Sequence, residues 1–97
     1  MAGTVAVSKK LLDRLRAAFK RYGTEVLGDP DIAVDFFPTE FGEFFGVLLT
    51  SPKFESMLDA ERQDSVWDYL SSDPEITDED RFYISQIATE TEAVEFI

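Results

Sequence analysis

Carboxylates are the only abundant reactive side chains in this chain of 97 residues, where twenty Asp and Glu stand against nine Lys and Arg, with no His and no Cys. That inventory narrows the chemistry. Nucleophilic catalysis needs a Ser or Cys beside a base, and no imidazole is present to act as one. Soft ligation of iron by thiolate or imidazole has no donors, and no disulfide can form. Acid–base catalysis by carboxylates needs strongly shifted pKa values, whereas these acids fall in loops and on outer helix faces. The acid-rich segment Ser71–Asp80 lacks the spaced ligands and turn glycine of a calcium loop. Gly42 and Gly46 lead into no helix, so no phosphate-binding loop is present. These residues point to a non-enzyme without cofactor or metal, one that recognises other molecules by shape, apolar contact and charge. Lys53, Phe54 and Arg62 are the candidate partner-binding residues: positive and aromatic groups on an acidic body, of the types that anchor interfaces. Each has a plainer alternative. Phe54 and Trp67 could pack in the core, and Arg62 could pair on its helix with Glu55, Asp59 or Glu61.

Charge is distributed unevenly around the net value of −11. Residues 1–22 carry Lys9, Lys10, Arg14, Arg16, Lys20 and Arg21 against Asp13 alone; the rest of the chain holds only Lys53, Arg62 and Arg81 among nineteen acids. Clustered cations could bind phosphate or an acidic partner, but an acidic body repels nucleic acid. The simpler reading is a solvated basic helix face. No stretch of about 18 apolar residues is available to span a membrane, and Met1–Val7 has no secretion-signal pattern, so a cytoplasmic protein is expected.

The elements that would position these groups follow from periodicity. Leu11, Leu15, Ala18, Phe19 and Tyr22 recur at helical spacing, with Ser8 as N-cap and Gly23 as stop. Thr24–Asp31 reads as a loop. Ile32–Phe37 and Phe41–Thr50 read as two strands of a hairpin turning around Pro38. Adjacent strand residues point to opposite faces, so Phe36/Phe37 and Phe44/Phe45 cannot all enter one core. One sheet face is expected either to meet a partner or to remain aromatic and partly wet. Lys53–Leu58 predicts a single helical turn, and Ala60–Leu70 a helix capped by Asp59, with Val66, Trp67 and Leu70 inward. Arg81–Thr89 alternates as a strand would, although Thr77 and Asp80 form a capping-box pattern ahead of it. A third strand is expected there, because two strands make a poor sheet for several helices to cover. Residues 1–7 are expected to be a flexible N-terminus and 91–97 a short terminal helix or tail.

Phe54, Glu55, Arg62, Val66, Trp67 and Leu70 fall, without a gap, in the register of a motif of the BolA family, which the segment resembles. Ile84–Glu92 is similar to that family's last strand and the Thr-rich turn after it. The resemblance implies an α+β domain over residues 1–97, in the order α-β-β-α-α-β-α, with a three-stranded sheet covered by helices. It also implies a glutaredoxin-like protein partner. This sequence departs from the pattern at informative places. Ser56 stands for a Gly and Gln63 for a His, the late His falls around Ile87 or Ala88, and Pro38-Thr39-Glu40 holds neither Cys nor His. The resemblance thus implies a relative without the family's cluster ligands. The BolA fold is similar to the KH fold, but the turn that would hold a GxxG loop is Ser56-Met57-Leu58-Asp59, with an acid and no glycine. The function expected is a non-catalytic protein-interaction or regulatory module. Self-association through the Phe-rich sheet face is one form of it. The alternatives are a KH-like nucleic-acid binder using the basic first helix, and an acidic regulatory mimic.

Overall fold

A computed structural model describes residues 8–40 and 42–92 as an α+β domain in the order α-β-β-α-α-β. Helix α1 spans Lys9–Tyr22 and buries the stripe Leu11, Leu15, Ala18, Phe19 and Tyr22. Ser8 caps it, its hydroxyl accepting from the amides of Lys10 at 3.1 Å and Leu11 at 3.4 Å. Gly23 does not stop this helix. The coil widens into a π-helical turn, Gly23–Leu27, and ends at Gly28, which takes the left-handed conformation at φ 71°. Gly23 serves close packing instead, because a β-carbon there would collide with the Ile32 side chain and the Asp29 carbonyl.

Strands β1, Ala33–Pro38, and β2, Phe45–Thr50, pair antiparallel from Ala33↔Thr50 to Pro38↔Phe45. The expected tight hairpin is therefore a longer loop over residues 39–44, and β2 begins later than expected. Its turn falls at Gly42–Glu43, and the Thr39 hydroxyl donates to the Phe44 carbonyl at 2.8 Å. Pro38 still occupies the last β1 position, next to the loop, where a missing N–H costs least.

A crossover returns the chain to the sheet. It begins with a 3₁₀ turn, Pro52–Ser56, and continues through α2, Asp59–Ser72, and α3, Asp78–Phe82. Asp59 is the first helical residue of α2 and not its cap; Glu61 reaches back to accept from the Leu58 amide at 2.8 Å. Strand β3, Ile84–Glu90, then lies parallel to β2, giving the sheet order β1-β2-β3. Both signals in the 77–90 stretch are realised, one after the other. Thr77 and Asp80 cap α3 reciprocally, and the strand starts only at Ile84, three residues later than the alternation suggested. The register jumps opposite Phe45/Gly46, which leaves Ser85 as an extra residue in a bulge. The terminal helix or tail expected at 91–97 falls almost entirely outside the described residues, as does the 1–7 segment.

The core lies between the helices and one sheet face. Leu15, Phe19, Tyr22, Ile32, Val47, Leu49, Phe54, Val66 and Leu70 are fully buried. Tyr22 exchanges a hydrogen bond with the Ser65 hydroxyl at 2.9 Å, so its buried phenol has a partner. Trp67, expected inside, is only half-buried at the core margin. Replacing Phe54 with Ala removes a ring with no exposed surface and should lower the unfolding free energy by about 3–5 kcal/mol. A denaturant titration showing a loss below about 1 kcal/mol would place Phe54 outside the core.

Candidate functional site

Of the residues singled out from the sequence, Phe54 and Arg62 meet inside the fold and Lys53 stands outside it. Lys53 is exposed on the 3₁₀ turn, whereas Phe54 is completely buried against Tyr22, with ring centroids 6.5 Å apart. Phe54 therefore cannot belong to a contact surface; its spacing from the apolar positions of α2 directs it inward. Arg62 is 14% exposed and works inside the fold. Its Nε donates to the carbonyls of Phe54 and Met57, each at 3.1 Å, and Nη1 reaches the Thr89 hydroxyl at 3.4 Å. The guanidinium also lies over the Phe54 ring, 5.6 Å from its centroid. Its one ion pair, with Asp59, is at 3.6 Å and the acid is exposed. Arg62 thus ties the 3₁₀ turn and β3 to α2.

The neighbouring residue acts likewise. Gln63 donates to the Ile87 carbonyl at 2.7 Å and accepts from the Trp67 indole at 3.3 Å. These positions, Gln63 beside Ile87, come together in the fold, and both are occupied by groups that hold β3 against α2. Among the described residues no cluster of three or more carboxylates is arranged to hold a metal ion.

Four cations of α1 are tied to the rest of the fold, while Lys9 and Lys10 are exposed. Arg14 donates to the nearly buried Asp80 at 2.8 Å, and Arg21 to Asp73 at 2.5 Å. Arg16 donates to the Val34 carbonyl at 2.5 Å and sits 5.1 Å from the Phe36 centroid; Lys20 donates to the Ile32 carbonyl. Desolvation pushes the Asp80 carboxyl upward, but hydrogen bonds from Thr77 and Arg14 outweigh it and hold the group below the usual carboxylate range. Asp73 has the same balance, with desolvation overcome by Arg21 and the Glu75 amide. A groove of about 330 Å³ beside this pair is lined by Arg21, Glu25, Tyr69 and Glu75 among others. Its polar groups are already matched: Tyr69 donates to Glu25 at 2.6 Å, and Arg21 faces both Asp73 and Glu75.

Among the described residues, the helices pack on one face of the sheet and leave the other without a helix over it. Val34, Phe45, Val47, Leu49, Ile84 and Ile87 point into the core. The alternate residues form three rows across the strands: Phe37–Gly46–Gln86, Asp35–Leu48–Ala88 and Ala33–Thr50–Glu90. Phe37, Leu48 and Ala88 are only partly buried and do not pack on the core. A β-carbon at Gly46 would collide with the outer end of the Phe37 ring that lies against it, so a larger residue there would displace that ring. Next to the Gly46 row, Phe44, Phe82 and Tyr83 make an aromatic cluster with centroids 5.4–6.1 Å apart, and Phe82 is 66% exposed. Leu58, 73% exposed at the start of α2, stands apart from this surface. The paired phenylalanines signalled a two-sided sheet; nothing local in the sequence singled out Leu48, Ala88 or Phe82.

Compared with known proteins, the chain matches no family model, no curated protein and no solved structure.

Two outcomes follow from the buried polar contacts. Asp73 and Asp80 have lowered folded-state pKa values, so the folded protein binds fewer protons than the unfolded chain as acid is added. Their stabilisation is complete above the unfolded value of about 3.9 and is lost as pH falls through the lower folded values. Urea midpoints across this range should fall less steeply for the Asp73→Asn/Asp80→Asn double variant than for the parent; parallel curves would contradict the assignment. Arg62→Ala should lower stability by about 1–3 kcal/mol, because two carbonyls lose a charged donor. Arg62→Lys should recover little, since an ammonium cannot reproduce the planar fork. Denaturant midpoints of the three proteins decide this, and equal stability of parent and Ala variant would show the contacts to be idle.

Proposed function

We propose that this protein is a non-catalytic protein-interaction module, BolA-like but without that family's cluster ligands, whose contact surface is the uncovered face of its sheet. The observation that carries this reading is the one-sided coverage of the sheet. Phe37, Leu48 and Ala88 form a partly buried apolar centre that no helix of the described residues covers, and the Phe44–Phe82–Tyr83 cluster lies toward one end of it. Exposed apolar surface of this kind is retained where a partner covers it. The element order, with β1 and β2 antiparallel and β3 parallel to β2, supports the family reading at the level of fold.

Chemistry by the chain itself finds no support in the geometry. The cations are engaged with carboxylates and carbonyls inside the fold, and the carboxylates held low in pKa are bound to arginines, which suits structure and not proton transfer. A glutaredoxin-like protein remains the partner the resemblance suggests, and a cytoplasmic setting goes with it. The contact would be by surface and not through a shared cluster.

Capture from the source cell with two variants tests the location. Leu48→Asp places a charge at the centre of the uncovered face, and Lys53→Glu alters the exposed cation on the 3₁₀ turn. Partners held by the parent should be lost at least about tenfold with Leu48→Asp and retained with Lys53→Glu. The reverse pattern, with both variants folded by circular dichroism, would move the interface to the turn.

A further inference from the structure

We infer that the occupant of the uncovered sheet face is a cationic amphipathic protein segment, with lysines or arginines set around large apolar side chains. This rests on the reading of that face as the contact surface and specifies its chemistry. The rows across the strands carry two titratable groups, Asp35 on β1 and Glu90 on β3, and both are exposed acids. Asp35 stands at the β1 end of the middle row and Glu90 at the β3 end of the next row. With strands about 4.8 Å apart and about 6.8 Å per two residues, their backbone positions lie about 12 Å from each other. Exposed Glu40 and Glu43 in the β1–β2 loop add negative charge at the aromatic end.

Most of the positive charges that could offset this field are held elsewhere; the exception is Lys53, exposed on the 3₁₀ turn just beyond the Thr50 end of β2. Arg14 and Arg21 are bound to Asp80 and Asp73 on the helical side. Arg16 is bound to the Val34 carbonyl of β1 and Lys20 to the Ile32 carbonyl just before it, and Arg62 lies beneath the 3₁₀ turn. The face is thus apolar at its centre and acidic at its margins, and electrostatic complementarity calls for the inverse on the partner. A second copy of the chain would set acid against acid, on a protein of net charge −11. Nucleic acid and anionic lipid meet the same repulsion.

The sheet edges direct the partner onto the face. At the outer edge of β1 the carbonyls of Ile32 and Val34 already accept from Lys20 and Arg16. At the outer edge of β3 the Ile87 carbonyl accepts from Gln63. Side chains therefore occupy the acceptors that an added strand would need.

The test titrates isotope-labelled protein with two synthetic peptides of about ten residues that share an alternating leucine pattern, one spaced with lysine and the other with glutamate. Amide shifts are followed by NMR. The lysine peptide should move Asp35, Phe37, Gly46, Leu48 and Ala88, and its affinity should fall at least about tenfold between about 50 and about 500 mM salt. The Asp35→Lys/Glu90→Lys variant, with its amide spectrum otherwise preserved, should show a similar loss for the lysine peptide. Equal or tighter binding of the glutamate peptide on these same amides would overturn the cationic assignment while leaving the face as the contact surface. Lysine-peptide shifts confined to the helices would overturn both readings. Concentration-dependent shifts of the face amides without peptide would make a second copy the occupant and overturn the inference. No shift with either peptide at about 1 mM, a concentration that detects even weak association, would overturn it too.

Discussion

The first helix is held to the sheet by two kinds of contact, and the remaining structure depends on their combination. Leu11, Leu15, Ala18, Phe19 and Tyr22 bury the apolar stripe, each large side chain contributing about 1.5–3 kcal/mol through removal from water. The cations beside that stripe reach sideways to fixed acceptors. Arg16 and Lys20 take carbonyls at the edge of β1, Arg14 takes Asp80 at the start of α3, and Arg21 takes Asp73 after α2. One helix thereby positions the strand edge, the crossover and the entry to β3. The segment excess of positive charge on this helix is a structural requirement of a fold whose other elements are acidic.

That arrangement has consequences for the opposite side of the molecule. Three strands offer two faces, and the helices of the described residues cover one of them. Engagement of the arginines on the helical side leaves the bare face with carboxylates at its margins and Phe37, Leu48 and Ala88 at its centre. Gly46 and Phe37 fit together as a unit: the glycine permits the ring to lie flat across β2 and reduces the apolar surface that it exposes. The edges of the sheet are occupied by side chains, which limits association through backbone pairing.

The 3₁₀ turn and the start of α2 show why residue type alone misplaces a site. Lys53, Phe54 and Arg62 looked like an anchor because aromatic and positive groups are rare in the acidic part of the chain. Phe54 packs on Tyr22, and Arg62 satisfies carbonyls that the short turn cannot satisfy itself. A guanidinium suits that task since it donates in several directions and remains charged when mostly buried. Phe54 and Arg62 act inside the fold, whereas Lys53 is exposed.

Much of the architecture could be read from the chain alone. Helical spacing identified α1 and α2, and β-branched and aromatic runs identified β1 and β2, because each signal is local and agrees with the final structure; the Thr77/Asp80 pair carried a capping signal, but the alternation after it suggested strand and α3 was not expected. The absence of imidazole and thiol side chains likewise needed no coordinates. Boundaries were less legible: Gly23 looked like a stop, yet contact with Ile32 and Asp29 required its small size while the chain coiled on to Gly28. Tertiary structure alone decided that Phe54 and Arg62 face inward, that the basic helix is neutralised by Asp73 and Asp80, and that Leu48 and Ala88 stand uncovered side by side. Each of these depends on partners far apart in the chain, and a sequence specifies which side chains exist long before it specifies which of them meet.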